Sequence, residues 1–307
     1  MQRVLVTGAA GFIGGAMARF CVEQGCSVTG LGHGKPDPFA GLDHWVSGTV
    51  SEAVLDRVRE RPDIIFHCAG GASVQASVAD PAADRARSVT ATAALMRWMA
   101  RAAPEARLVY TSSGAVYGDA AAVPEGRAGT PSPISPYGRH KAEAEQAVQS
   151  AAGEHRLHVG IVRLFSVYGP GLRKQLLWDA CNKMQTGRAE FFGTGVEKRD
   201  FVEIRDVQSL LWKTAGALGD TPLVLDGGWG VGRPVKDVVC TLAKRFEPEP
   251  QVTFLGTTRS GDPKDMIAGP AGARKLGWKP TIDLEEGLAA YAAWYCGEVS
   301  DSALRAV

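Results

Sequence analysis

Tyr137 and Lys141 lie four residues apart in the stretch Ser135-Pro136-Tyr137-Gly138-Arg139-His140-Lys141. Residues at i and i+4 share one face of a helix, one turn apart. A phenol in water titrates near pH ~10 and is a poor acid or base at neutral pH. An ammonium group a few ångströms away favours the phenolate and lowers that value. Such a pair suits proton transfer to or from a hydroxyl, for example on a sugar. A second stretch with chemical potential is Thr111-Ser112-Ser113-Gly114-Ala115-Val116-Tyr117-Gly118, which closes an apolar run and offers hydroxyls at its end.

A third stretch fits a dinucleotide. Gly8, Gly11 and Gly14 follow the β-branched run Arg3 to Thr7 and open an apolar-periodic helix that continues to Gln24. Strand, glycine turn and helix together let backbone N–H groups approach a pyrophosphate at the helix N-terminus. Gly8, Ala10, Gly11, Phe12, Ile13 and Gly14 are therefore candidate cofactor contacts. After the next strand, Ser27 to Leu31, an NAD-binding protein usually offers a carboxylate to the adenosine ribose. This chain has Gly32-His33-Gly34-Lys35 instead. A glycine there makes room for a 2′-phosphate, and His33 or Lys35 would supply positive charge. The loop thus favours NADP(H), with NAD(H) as the alternative. Further on, Ala69 and Gly70 are small enough to let a nicotinamide riboside lie against the backbone.

The elements that must position these groups alternate. Helices near Ser51 to Arg61, Pro81 to Ala103 and Pro136 to Ala152 separate strands at Asp63 to His67, Arg107 to Thr111 and Leu157 to Leu164. That alternation predicts an α/β fold, a doubly wound parallel (Rossmann) sheet whose ligands bind at the strand ends. From Ser166 the pattern loosens, with a strand-like run at Pro222 to Asp226 and helices near Val235 to Phe246 and Asp283 to Trp294. We expect an NAD(P)-binding domain over 1–165. Residues 166–307 are expected to form a smaller, mixed substrate lobe, partly packed back on the first domain, with a loosely held tail after Cys296.

Composition narrows the class. A net charge of +1 and scattered basic residues give no polyanion surface, so no nucleic-acid partner is expected. No apolar stretch approaches the roughly 18 residues that a membrane span needs. The six cysteines form neither C-x-x-C pairs nor a Cys/His framework, so no metal site is expected. They read as small buried hydrophobes in a reducing compartment, which makes the cytoplasm the default location.

The motifs in order resemble the extended short-chain dehydrogenase/reductases, and more narrowly their nucleotide-sugar epimerase/dehydratase/reductase branch. The resemblance rests on Thr7 to Gly14 (TGAAGFIG), Thr111 to Gly118, Pro136 to Lys141 (PYGRHK), Arg163 to Gly171 (RLFSVYGPG) and Arg199 to Val207 (RDFVEIRDV), with Arg259 to Pro263 (RSGDP) beyond. It implies that Ser113 bonds the sugar oxygen, Tyr137 transfers the proton, and Lys141 holds the nicotinamide ribose and lowers the tyrosine pKa. It implies that Arg199 and Arg259 grip a nucleotide diphosphate, that Ser166 stands at a substrate-side asparagine position, and that the protein is a homodimer. Asp206 reads as a helix N-cap ahead of Val207 rather than a ligand.

The partner implied is a nucleotide-diphosphate sugar. Dehydratases of the branch carry an adjacent Asp-Glu pair where this chain has Ser113-Gly114-Ala115, which argues against elimination chemistry. A 4-keto-sugar-nucleotide reductase is the reading favoured here, because of the Gly32 loop. The alternative is an NAD-dependent 4-epimerase of the UDP-glucose or UDP-GlcNAc type. A non-catalytic NAD(P)-binding sensor is disfavoured, since tyrosine and lysine are both present.

Overall fold

A computed structural model describes residues 1–35, 40–119, 130–257 and 263–305. Its centre is a seven-stranded sheet. The first half supplies β1 (Arg3–Thr7), β2 (Ser27–Gly32), β3 (His44–Ser47), β4 (Ile64–His67), β5 (Arg107–Ser113) and β6 (His158–Leu164). All pairings are parallel, and the order runs β3-β2-β1-β4-β5-β6 with one more strand beyond β6. The central strands bury both faces, as Val4, Leu5, Val6, Ile65 and Phe66 show, and accordingly read as continuous apolar runs. Parallel strands require crossovers, and these are α1 (Phe12–Glu23), α2 (Glu52–Leu55), α3 (Val74–Ala79), α4 (Pro81–Arg85), α5 (Ala91–Ala102) and α6 (Pro136–His155).

Several boundaries differ from the sequence expectation for local reasons. Edge strand β3 (HWVS) is short and half polar, so no alternation announces it. The helix expected over Ser51 to Arg61 stops at Leu55, after an N-cap in which the Ser51 hydroxyl accepts from the Val54 amide. The long helix expected from Pro81 breaks into α4, a π-helical turn at Ala86–Thr90, and α5. Strand β5 runs two residues further than expected and carries Ser112 and Ser113 at its end.

The second half is not wholly apart from the sheet. It contains β7 (Ser166–Tyr168), α7 (Gln175–Gln185), β8 (Glu190–Phe191), β9 (Lys198–Arg199), β10 (Phe201–Glu203), α8 (Ile204–Ala217) and β11 (Leu223–Gly227). Strand β11 is the seventh strand, paired parallel to β6. Helix α8 packs on α1, where Gln208 Nε2 donates to the Ala16 carbonyl at 2.7 Å. Asp206 lies inside α8 rather than at its N-cap, which is Glu203. Its carboxylate accepts from the Thr281 and Ile282 amides and so ties the C-terminal region to α8. Helices α9 (Val235–Ala243), α10 (Ala271–Lys275) and α11 (Leu284–Arg305) complete this half. The expected loose tail after Cys296 is the continuation of α11. Tyr168, Phe191, Leu242, Tyr291 and Tyr295 form its core.

Helix α6 is tied to the sheet by charge as well as by packing. Glu145 on α6 accepts from the Arg163 guanidinium of β6 at 2.6 and 3.0 Å, with both side chains buried. Ser112 Oγ donates to the same carboxylate at 2.5 Å, and Arg163 Nη1 donates to the Tyr117 hydroxyl at 2.7 Å. That hydroxyl donates to Asp226 on β11 at 2.7 Å. Removing one partner of such a pair strands a charge in the core. Arg163→Met is expected to lower unfolding stability by about 3–5 kcal/mol in a urea titration; an unchanged midpoint would show that Glu145 finds another partner.

Candidate functional site

At the carboxyl ends of β1, β4 and β5, where the strand order reverses, a cleft of about 390 Å³ opens. In open α/β sheets this is where ligands bind. Its floor is the β1–α1 turn. Gly8 has φ +70°, and a Cβ on Gly14 would stand 2.2 Å from the Gly8 carbonyl oxygen, so the turn closes only with glycine at 14. Gly8, Ala10, Gly11, Phe12, Ile13 and Gly14 line the cleft, as do His33, Ala69 and Gly70. Phe12 opens a twelve-residue helix with Gly11 at its N-cap, leaving backbone N–H groups directed at an anion. These features fit a dinucleotide pyrophosphate.

Gly32 has a different reason to be glycine than the one its neighbours suggest. A Cβ there would lie 3.0 Å from the Trp45 ring and 3.2 Å from the Ala10 amide nitrogen. The indole that packs against Gly32 belongs to the edge strand that the sequence reading did not find. Lys35 is exposed and outside the cleft lining.

Opposite the turn stand the hydroxyls. Helix α6 begins at a Ser135 N-cap that accepts from the Gly138 amide at 3.1 Å, with Pro136 at its first position. Close packing of α6 on the turn Gly114–Tyr117 that follows β5 requires Gly138, whose Cβ would stand 2.4 Å from the Ala115 carbonyl oxygen. This approach brings Tyr137 to the same cleft wall as Ser113 and Lys141, all three being lining residues. Burial pushes the Tyr137 phenol up, the Ser113 hydroxyl pulls it down, and the charge of Asp84 pushes it up again. The net direction is upward, whereas a lysine neighbour alone was expected to lower it.

Burial and the Asp84 charge account for the difference; Lys141 stands close by. Its ammonium is buried and donates to the Thr111 carbonyl at 2.9 Å. It lies 6.0 Å from the Tyr137 ring centroid and 5.1 Å from that of Tyr110. Burial lowers the Lys141 pKa to about 8, against upward pulls from Cys68, Asp84 and Glu145. His67 is held neutral, its pKa lowered to about 3 by burial and by the Lys141 charge. It is a structural link, with Nδ1 2.6 Å from Thr7 Oγ1 and Nε2 3.0 Å from Thr92 Oγ1.

The second-half candidates lie differently. Ser166 is on β7, its amide donating to the Asp200 carbonyl at 2.9 Å, while its neighbours Phe165 and Val167 line the cleft. Arg199 donates to the carbonyls of Pro263 and Lys264 at 2.8 and 3.0 Å and is not a lining residue. Arg259 lies outside the described residues. Sequence reading missed Arg87, Lys174 and Gln175, which all line the cleft. Arg87 and Lys174 are exposed side chains with no spacing signal to announce them. Among the described residues that line the cleft there is neither Asp nor Glu. None of these residues forms a His/Cys/Asp/Glu group able to hold a metal ion among the described residues, and no described helix is long and apolar enough to cross a membrane.

A doubly wound sheet, a glycine turn at its switch point and a serine, tyrosine and lysine facing that turn define a pyridine-nucleotide-dependent enzyme. Residues 4–222 match the profile of the NAD dependent epimerase/dehydratase family, and the chain belongs to that family. It is 31% identical to a UDP-glucose 4-epimerase of Azospirillum brasilense, over 93% of this chain and 89% of that protein. A UDP-glucose 4-epimerase of Thermotoga maritima, solved with UDP-glucose, superposes with a TM-score of 0.87 at 27% identity, covering 97% of this chain and 100% of that one. MoeE5, solved with UDP-glucose and NAD, gives 0.86 at 29% identity over the same shares.

The tight β1–α1 turn yields a direct test. Gly14→Ala forces the Gly8 carbonyl out of place and is expected to weaken NAD binding at least tenfold by calorimetry. Unchanged affinity would mean that the turn does not carry the dinucleotide.

Proposed function

We propose that this chain is an NAD-dependent UDP-hexose 4-epimerase. The observation that carries the reading is that Ser113, Tyr137 and Lys141 line one cleft with the glycine turn, without lining carboxylates among the described residues. Elimination would need an acid and a base on the sugar's far side, which disfavours a dehydratase. The reductase favoured from the sequence rested on the Gly32 loop alone. The curated relative named above is an epimerase, and NAD is the cofactor named for MoeE5.

In this reading the nicotinamide, when bound, accepts hydride from C4 of the hexose and later returns it. Tyr137 Oη takes the 4-hydroxyl proton as the hydride leaves, giving a 4-ketone on the sugar. Ser113 Oγ bonds the same oxygen and fixes it against the tyrosine. With the ketone turned to its other face, Tyr137 would give the proton back to the same oxygen as C4 is reduced again. No electron pair is gained or lost overall, so one dinucleotide serves many turnovers. Lys141 contributes its positive charge, favouring the phenolate, and reaches towards the ribose from the Thr111 carbonyl.

Residues 1–165 supply most of the dinucleotide contacts, and 166–307 the substrate lobe, with β11 and α8 built into the first part. The nucleotide diphosphate of the substrate is assigned to Lys174, which lines the cleft, and to Arg259, while Arg199 is occupied by the Pro263 and Lys264 carbonyls.

Purified protein should release NAD on denaturation and interconvert UDP-glucose and UDP-galactose without consuming added NADPH. NADPH oxidation dependent on a 4-keto-sugar nucleotide, with no interconversion, would overturn the epimerase in favour of the reductase. Tyr137→Phe is expected to cut kcat by about 10²–10⁴-fold with a small change in KM; full turnover would remove Tyr137 from the mechanism.

A further inference from the structure

Behind the Tyr137/Lys141 face of α6 lies a buried pair that the reaction scheme does not use. His140 Nδ1 is 2.7 Å from Asp84 Oδ2, and the two side chains are 9% and 1% exposed. Asp84 comes from α4, one helix away, and its other oxygen, Oδ1, is buried without a hydrogen-bond partner. A carboxylate oxygen left dry and unpaired is costly and calls for a compensating charge.

That charge is close by. The consecutive glycines Gly70 and Gly71 form the cleft wall between α4 and α6. A Cβ on Gly71 would stand 2.0 Å from Asp84 Oδ1, and one on Gly70 would stand 3.5 Å from Lys141 Nζ. Ser88 Oγ is 3.2 and 3.7 Å from the same two positions and accepts from the Gly71 amide. Asp84 and Lys141 thus flank one short piece of backbone that also lines the nicotinamide end of the cleft.

The other groups facing Lys141 are already accounted for. Glu145 on α6 is neutralised by Arg163. Cys68, after β4, stays a thiol because burial raises its pKa to about 12. Burial also pushes up the phenol of Tyr110 on β5, and it keeps His67 neutral. Tyr137 is a phenol, raised by burial. Asp84 is the negative charge left facing the ammonium among these groups.

We propose that Asp84, oriented by His140, is the counter-charge that keeps Lys141 protonated at the cleft wall, so that the two are positioning residues for the Tyr137 chemistry. Asp84 raises the pKa of Lys141 and also of Tyr137. The role in turnover rests on the epimerase reading; the effect on Lys141 does not.

The sign follows from the charges. Lys141 titrates at about 8 with Asp84 present. Without that carboxylate the ammonium loses an attraction and sheds its proton at lower pH. In Asp84→Asn, the Lys141 titration, read by heteronuclear NMR of its labelled side chain in nucleotide-stripped protein, is expected to move to lower pH. NAD affinity at pH 7.5 should fall at least fivefold, and the alkaline limb of kcat/KM should move down with the titration. His140→Ala should shift it in the same direction. His140→Asn, which keeps an N–H donor towards Asp84, should restore it, and this pair decides the matter if Asp84→Asn does not fold. A Lys141 titration unmoved in Asp84→Asn, or equally moved in His140→Ala and His140→Asn, would overturn the proposal. Because the titration is read without substrate, a shift in a protein that fails to epimerise would refute the epimerase alone.

Discussion

A buried ammonium is the constraint on which the rest of this structure depends. Lys141 is 5% exposed, and a lysine so enclosed must be given an acceptor and a balance of charge. The Thr111 carbonyl at the end of β5 supplies the acceptor. This one contact fixes α6 against the end of β5, and so fixes where Tyr137 meets Ser113. Beside it, Glu145, Arg163, Ser112, Tyr117 and Asp226 are bonded into one buried chain across α6, β5, β6 and β11. The polar chain runs beside the reaction site, where Lys141 is bonded to Thr111, and ends on Asp226 of β11.

The sheet supplies the other half of the arrangement. Parallel strands end together, so the glycine turn after β1 and the hydroxyls after β5 open on one crevice on either side of β4. Small residues keep that crevice open. Ala69, Gly70 and Gly71 follow His67, whose neutral ring is clamped between Thr7 and Thr92. An acidic or bulky side chain at position 71 would collide with Asp84, which ties the wall of the crevice to the charge behind it.

The Rossmann sheet and its glycine turn were legible in the sequence because both depend on local pattern: β-branched runs, glycine spacing and a helix-period repeat. Ser113, Tyr137 and Lys141 were legible as a set because the strand end and the i, i+4 pair are short-range features. What was not legible depends on contacts between distant residues. Nothing near Gly32 reveals that Trp45 packs against it, and the NADP(H) preference read from that loop has no counterpart in MoeE5, which was solved with NAD. The upward net direction at Tyr137 was likewise invisible, since it comes from desolvation and from Asp84, 53 positions earlier in the chain. The π-helical turn at Ala86–Thr90 has no composition signal either, although it follows directly on the α4 helix that carries Asp84.

The central claim is that hydride leaves C4 and returns to it without leaving the protein. A UDP-hexose carrying deuterium at C4 tests this most directly, with excess unlabelled NADH present in solution. The account predicts epimerised product that retains the deuterium at C4, with none appearing in the free NADH pool. Product that has lost the label, or label recovered in free reduced dinucleotide, would contradict it.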